Sequence, residues 1–130
     1  MADRAYHEQR MGNNMPMVDK MIEWLQSWDR SIAPHYKQHY VSLSRAGRTD
    51  NFVKFRPMKH YLRVEPILDC SPRFEKKLRQ AGLDVVDYWR EEPRYRIMLT
   101  ASDFPKLKPI LKELLRMAYA RATIVSWGKH

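Results

Sequence analysis

A single cysteine, Cys70, stands in a chain of 130 residues. One thiol cannot build an internal disulfide framework or a cysteine-based zinc site, and the chain is expected in a reducing, cytoplasmic compartment. Glycine is almost as scarce. There are four, and none sits in a P-loop or GxGxxG pattern, which excludes the common phosphate-cradling loops. No apolar run approaches the length of about 18 residues that crosses a membrane. No charged leader runs into an apolar stretch, so no secretory signal is expected and no membrane partner either.

What the sequence has is positive charge. Lys and Arg number 24 against 15 Asp and Glu, a formal net charge of +9. Such an excess favours a polyanionic partner without naming one. With 44% apolar residues, the length is that of one domain with a full hydrophobic core.

Residues 1 to 15 show no period and carry Gly12-Asn13-Asn14, and are expected as a flexible lead. The domain itself is expected over 16–122. Pro16 suits a first helical turn, and Val18, Met21, Ile22, Leu25 and Ile32 recur at helical spacing, which predicts a helix from Met17 to Ser31. Trp24 and Trp28 flank that stripe as cover for the edge of the core. Ala33-Pro34 ends the helix.

The period then changes to two. His39–Ser44, Asn51–Arg56 and His60–Glu65 alternate as three strands, joined by Arg45–Asp50, where Gly47 permits a positive φ, and by Pro57-Met58. Ser71-Pro72 opens a second helix that Gly82 ends. Leu83–Tyr88 and Tyr95–Thr100 are further strands. Thr100 and Asp103 have capping-box spacing, but Pro105 and Pro109 argue for a short turn before a helix over Lys108–Arg121. Residues 123–130 are left as a tail containing Trp127. The expected order is α-βββ-α-(β)β-α: an α+β fold with one antiparallel sheet of four or five strands and its helices on one face.

Alternation assigns Val41, Leu43, Val53, Phe55, Leu62, Val64, Tyr95, Ile97 and Leu99 to the core face. Tyr40, Ser42, Ser44, Phe52, Lys54, Arg56, Tyr61, Arg63, Glu65, Arg94, Arg96 and Met98 fall on the other. From His39 to Pro66 there are six basic side chains against two acidic, whereas the first 33 residues carry four against five. The charge therefore gathers on the sheet, and more weakly on the last helix at Lys108, Lys112 and Arg116. Rings among cations can stack on bases and meet phosphates. The candidate nucleic-acid-binding residues are Tyr40, Arg45, Arg48, Phe52, Lys54, Arg56, Lys59, Tyr61, Arg63 and Arg96. Three readings of this face stand together: DNA or RNA binding, a protein partner or homodimer contact, and ordinary cross-strand pairs sheltered by arginine stems.

The stretch Tyr40–Ser44, the basic turn, Asn51-Phe52-Val53, Pro57 and Tyr61-Leu62-Arg63-Val64 resembles an uncharacterised bacterial domain labelled "predicted transport protein". The later Tyr95-Arg96-Ile97-Met98-Leu99-Thr100 strand and a helix closing near Ala118-Tyr119 fit the same pattern, over about residues 17 to 121. That domain often follows a restriction-endonuclease-like domain. The resemblance implies an accessory module associated with nucleic-acid enzymes, and it supplies no catalytic residues.

Other constellations carry less. His35 and His39 have the spacing of a helical metal pair, with His60 nearby, but Pro34 and the following strand oppose a helix. Cys70 precedes a helix N-terminus without an evident base, and a buried structural cysteine is expected. Glu65-Pro66-Ile67 lacks the lysine of a nuclease motif, and Glu91-Glu92 lies in a charged turn. Of the methionines, Met11, Met15 and Met17 sit in or beside the lead, ahead of Met21. No cofactor, no metal and no enzymatic activity are expected.

Overall fold

The structure, a computed structural model, describes residues 2–128, without the side chains of Met11 and residues 125–128. It is an α+β fold of four helices and one antiparallel sheet of seven strands. In chain order these are α1 (Arg4–Met11), a 3-10 turn (Gly12–Asn14), α2 (Met15–Trp28), β1 (Ile32–Tyr36), β2 (Val41–Arg45), β3 (Arg48–Thr49), β4 (Val53–Pro57), β5 (Leu62–Pro66), α3 (Pro72–Gln80), β6 (Asp84–Trp89), β7 (Arg94–Leu99) and α4 (Phe104–Gly128). The sheet order is β1-β2-β4-β5-β7-β6, with β3 paired to β2 off that path. Among the described residues, no helix is long and apolar enough to cross a membrane.

All nine residues assigned to the core face are buried, and they form one cluster with the stripes of α2 and α4 and with Leu78 of α3. Trp24 stacks on Phe104 at 5.8 Å, and Trp28 tilts against Tyr119, which closes the seam between α2 and α4. Burial of this set in the centre of the sheet is the main driving force for the fold.

The helix expected to reach Ser31 stops at Trp28. The Asp29 carboxylate accepts hydrogen bonds from the backbone and hydroxyl of Ser31, a local turn that competes with the helix. Ile32 then belongs to a strand. Pro34 sits in it without loss, because β1 is an edge. The Lys37 N–H bonds Tyr40 O and the Ala46 N–H bonds Ser31 O, so the bonded pairs bracket Pro34 and its ring nitrogen faces outward. The Ala46-Gly47 turn between β2 and β3 has positive φ at both residues, 54° and 78°. Two positive φ values define the hairpin turn that matches strand twist, but alanine is strained there. Ala46→Asn is expected to stabilise the fold by about 0.5–1 kcal/mol, seen as a small rise in melting temperature in a thermal scan.

Pro105 and Pro109 do not delay α4, which starts at Phe104 after Thr100 accepts the Asp103 N–H. Pro105 lies in the first turn, where an N–H is unused. Pro109 removes only a bond to the Pro105 carbonyl, and both prolines lie on the exposed side of the helix. The stretch expected as a tail from Thr123 continues α4 to Gly128, and Trp127 lies outside the described side chains.

Residues 2 to 15 are also more ordered than their lack of apolar period suggests. Polar bonds hold them. Asp3 caps the Tyr6 N–H, Arg4 pairs with Asp19 at 2.6 Å, the His7 Nε2–H donates to Lys37 O at 2.6 Å, and Asn14 Nδ2 donates to Met58 O at 2.5 Å. His7 and Asn14 are buried. Deleting residues 1–14 is therefore expected to cost about 1–3 kcal/mol in a denaturant titration, from the loss of the His7 and Asn14 hydrogen bonds. A melt unchanged by the truncation would contradict this docking.

Candidate nucleic-acid interface

The sheet face turned away from the helices is built by alternation on β4, β5 and β7. Lys54 and Arg56 project from β4, Arg63 and Glu65 from β5, and Arg96 and Met98 from β7. The register sets Lys54 opposite Glu65, Arg56 opposite Arg63, and Arg63 opposite Met98. Two arginines directly opposite one another repel. Glu65 relieves this. Its carboxylate takes Arg56 Nε at 2.8 Å and Arg63 Nη1 at 3.5 Å, and the residue is only 2% exposed. The arginine stems cover it, as long cationic side chains do over a sheet. Buried and doubly bonded, the carboxylate serves as an internal counter-ion and leaves the outer surface to the cations.

Rings lie among these cations. Tyr40, just before β2, has Lys54 Nζ at 4.9 Å and the Arg56 guanidinium at 5.0 Å from its centre. Arg96 lies 5.0 Å from the Trp89 ring, with Asp87 at 3.6 Å from the same guanidinium. Glu92 approaches Lys54 at 3.8 Å from the end of the sheet. The Nε atoms of Arg63 and Arg96 are buried without a hydrogen-bond partner.

Five of the ten candidate residues, Tyr40, Lys54, Arg56, Arg63 and Arg96, come together here. Phe52 does not. It lies before β4, where alternation does not yet apply, and is 2% exposed, packed edge-on against Tyr119 of α4 at 6.0 Å. Phe52→Ala is thus expected to cost about 3–5 kcal/mol of stability, read by denaturant unfolding. Arg45 is also turned to the helix side, since it pairs with Ile32 across β1. It reaches Asp50 at 2.9 Å and Thr123 at 3.0 Å, beside the Tyr119 ring. Arg48 is exposed at the start of β3, Lys59 is exposed in the turn between β4 and β5, and Tyr61 is half-buried just before β5.

Arg94 belongs by alternation to the cationic face but is 1% exposed. Its guanidinium donates to Glu65 O at 2.5 Å and to Asn51 O at 2.6 Å, which ties the loop before β4 to β5. Burial pushes its pKa below the usual arginine value, opposed by Glu92 and Glu65. It remains a cation, but one that braces structure. Cys70, expected buried, is exposed. Trp89 was not among the candidate residues. The bulge between Val85 and Asp87 shifts the alternation of β6, so period two cannot tell which face Trp89 takes.

No protein-family profile, curated protein or solved structure matches the chain.

Proposed function

We propose that this chain is a non-catalytic accessory module that binds nucleic acid on its exposed sheet face. Lys54, Arg56, Arg63 and Arg96 meet backbone phosphates, and Tyr40 and Trp89 lie against sugars and bases at the two sides. One observation carries the reading: four cations share one sheet face whose central carboxylate, Glu65, is buried beneath two of them. Flat sheets with rings and cations suit unpaired strands, whose bases can splay onto the surface. The resemblance to the domain that often follows restriction-endonuclease-like domains points the same way.

The test is fluorescence anisotropy with a labelled single strand from low to physiological salt. Four phosphate contacts give a log–log slope of about −3. Lys54→Ala should flatten that slope by about one unit with an unchanged melt. Absence of binding at low salt would remove the reading.

A protein-contact role is the second reading, and one feature favours it. A groove of about 600 Å³ on the helix side has Leu68, Phe74, Met117, Ala120 and Ile124 in its lining beside Asp69, Ser71 and Arg121, with Ile124 72% exposed. Sedimentation at rising concentration, in the parent and in Ile124→Glu, distinguishes self-association there from a monomer that binds through the sheet.

A further inference from the structure

A cavity of about 310 Å³ opens where α1 meets the end of the cationic face. Its lining comes from four separate elements. Tyr6, His7 and Arg10 stand on α1. Gln38 and His39 belong to the turn between β1 and β2. Pro57 ends β4 and Met58 follows it in the turn to β5, while Arg56 and Arg63 form the floor on the sheet. Three arginines thus line one concave site, and among the described residues no Asp or Glu lines it.

The existing partners of these arginines leave capacity for a ligand. Arg56 spends Nε on Glu65, and Arg63 spends one terminal nitrogen on it at 3.5 Å, a long contact. Arg63 Nε is buried and unpartnered. Arg10 is exposed and lies 5.3 Å from the Tyr6 ring, a cation–π contact. One carboxylate is therefore shared by two of the three guanidiniums at the cavity.

We infer that this cavity binds a phosphate monoester, either the phosphorylated end of a nucleic-acid strand or a free nucleotide. A monoester carries about two negative charges and three terminal oxygens. Three planar forks match that geometry better than they match the single charge of an internal diester. The walls agree. α1 and the two turns enclose the site on the side away from the open sheet, so a strand lying on the sheet would end there. The rigidity of α1 supports this, since His7 and Asn14 anchor the N-terminal segment to the same two turns that line the cavity. The strand-end form of the inference rests on the sheet being the nucleic-acid surface. The free-nucleotide form does not.

The test compares one short single strand with a 5′-hydroxyl, a 5′-phosphate or a 3′-phosphate end at fixed salt, and a nucleoside monophosphate by calorimetry. One phosphorylated end is expected to bind about ten-fold tighter than the hydroxyl end, the size of one added charge-assisted contact. Arg10→Gln should abolish that gain and leave hydroxyl-strand affinity within about two-fold, because Arg10 lies off the sheet. Binding of the monophosphate with no gain for either strand end supports the site and assigns it to free nucleotides. Monophosphate binding with no strand binding at all also supports the site, and removes the sheet interface instead. Equal affinity of all three strands together with no monophosphate binding overturns the inference, as does a phosphate gain that survives in a well-folded Arg10→Gln.

Discussion

Leu62→Asp and Leu111→Asp are expected to yield no folded protein. Leu62 lies on β5, one of the two central strands, and Leu111 on α4, the helix packed over that strand. Both are fully buried. A carboxylate at either position has no cation within the apolar cluster to pair with, and it must either ionise unsolvated or bury a protonated acid. The cost of several kcal/mol adds to the lost leucine packing of about 2–5 kcal/mol. Together these consume most of a typical stability of about 5–15 kcal/mol. Circular dichroism melts provide the measurement, with Arg63→Asp as the paired control. Arg63 is next to Leu62 but on the opposite face, so its variant should stay folded. A cooperative melt in Leu62→Asp with an unfolded Arg63→Asp would put the register off by one residue.

Arg94→Met is expected to lose about 2–4 kcal/mol, because the Glu65 and Asn51 carbonyls both lose a buried charged donor. That corresponds to a fall of about 10 °C in Tm for a domain of this size. Methionine keeps the apolar stem, so the loss reports the guanidinium and not packing. Arg94→Lys should rescue little. One ammonium cannot place two donors in the fixed fork that spans both carbonyls. Because Arg94 is buried, oligonucleotide affinity of the folded fraction should stay near that of the parent. A parent-like melt in Arg94→Met would deny the brace.

The core face was legible because hydrophobic alternation is a direct consequence of strand geometry. Every residue from Val41 to Leu99 that alternation sent inward is buried. The same rule placed Lys54, Arg56, Arg63 and Arg96 together. It failed where backbone departs from a regular strand. Phe52 precedes β4, and tertiary contact with Tyr119 decided its side. β1 was hidden because Ile32 extends the helical period and Pro34 resembles a terminator, although an outward proline is harmless on an edge. α1 had no apolar stripe to announce it. Its signals were the Asp3 cap and the position of Arg4, whose partner Asp19 lies 15 residues on. Arg94 shows the limit of charge as a guide. Its sequence neighbours pointed to a surface cation, and only the loop folded over it, carrying the Asn51 carbonyl, makes it internal.

Which surface meets the ligand is the central question. The molecule offers a rival to the sheet: on α4, Lys108, Lys112 and Arg116 lie over Phe104, Trp24 and Trp28, a second row of cations on rings. Backbone amide shifts of the ¹⁵N-labelled protein, followed while a single-stranded oligonucleotide is titrated at low salt, distinguish the two in one experiment. The expected result is saturable shifts at Lys54, Arg56, Arg63, Arg96 and Trp89, with α4 unmoved between Lys106 and Arg116. Shifts confined to Lys108, Lys112, Arg116 and the neighbouring Trp24 and Trp28, with the sheet face silent, would contradict it.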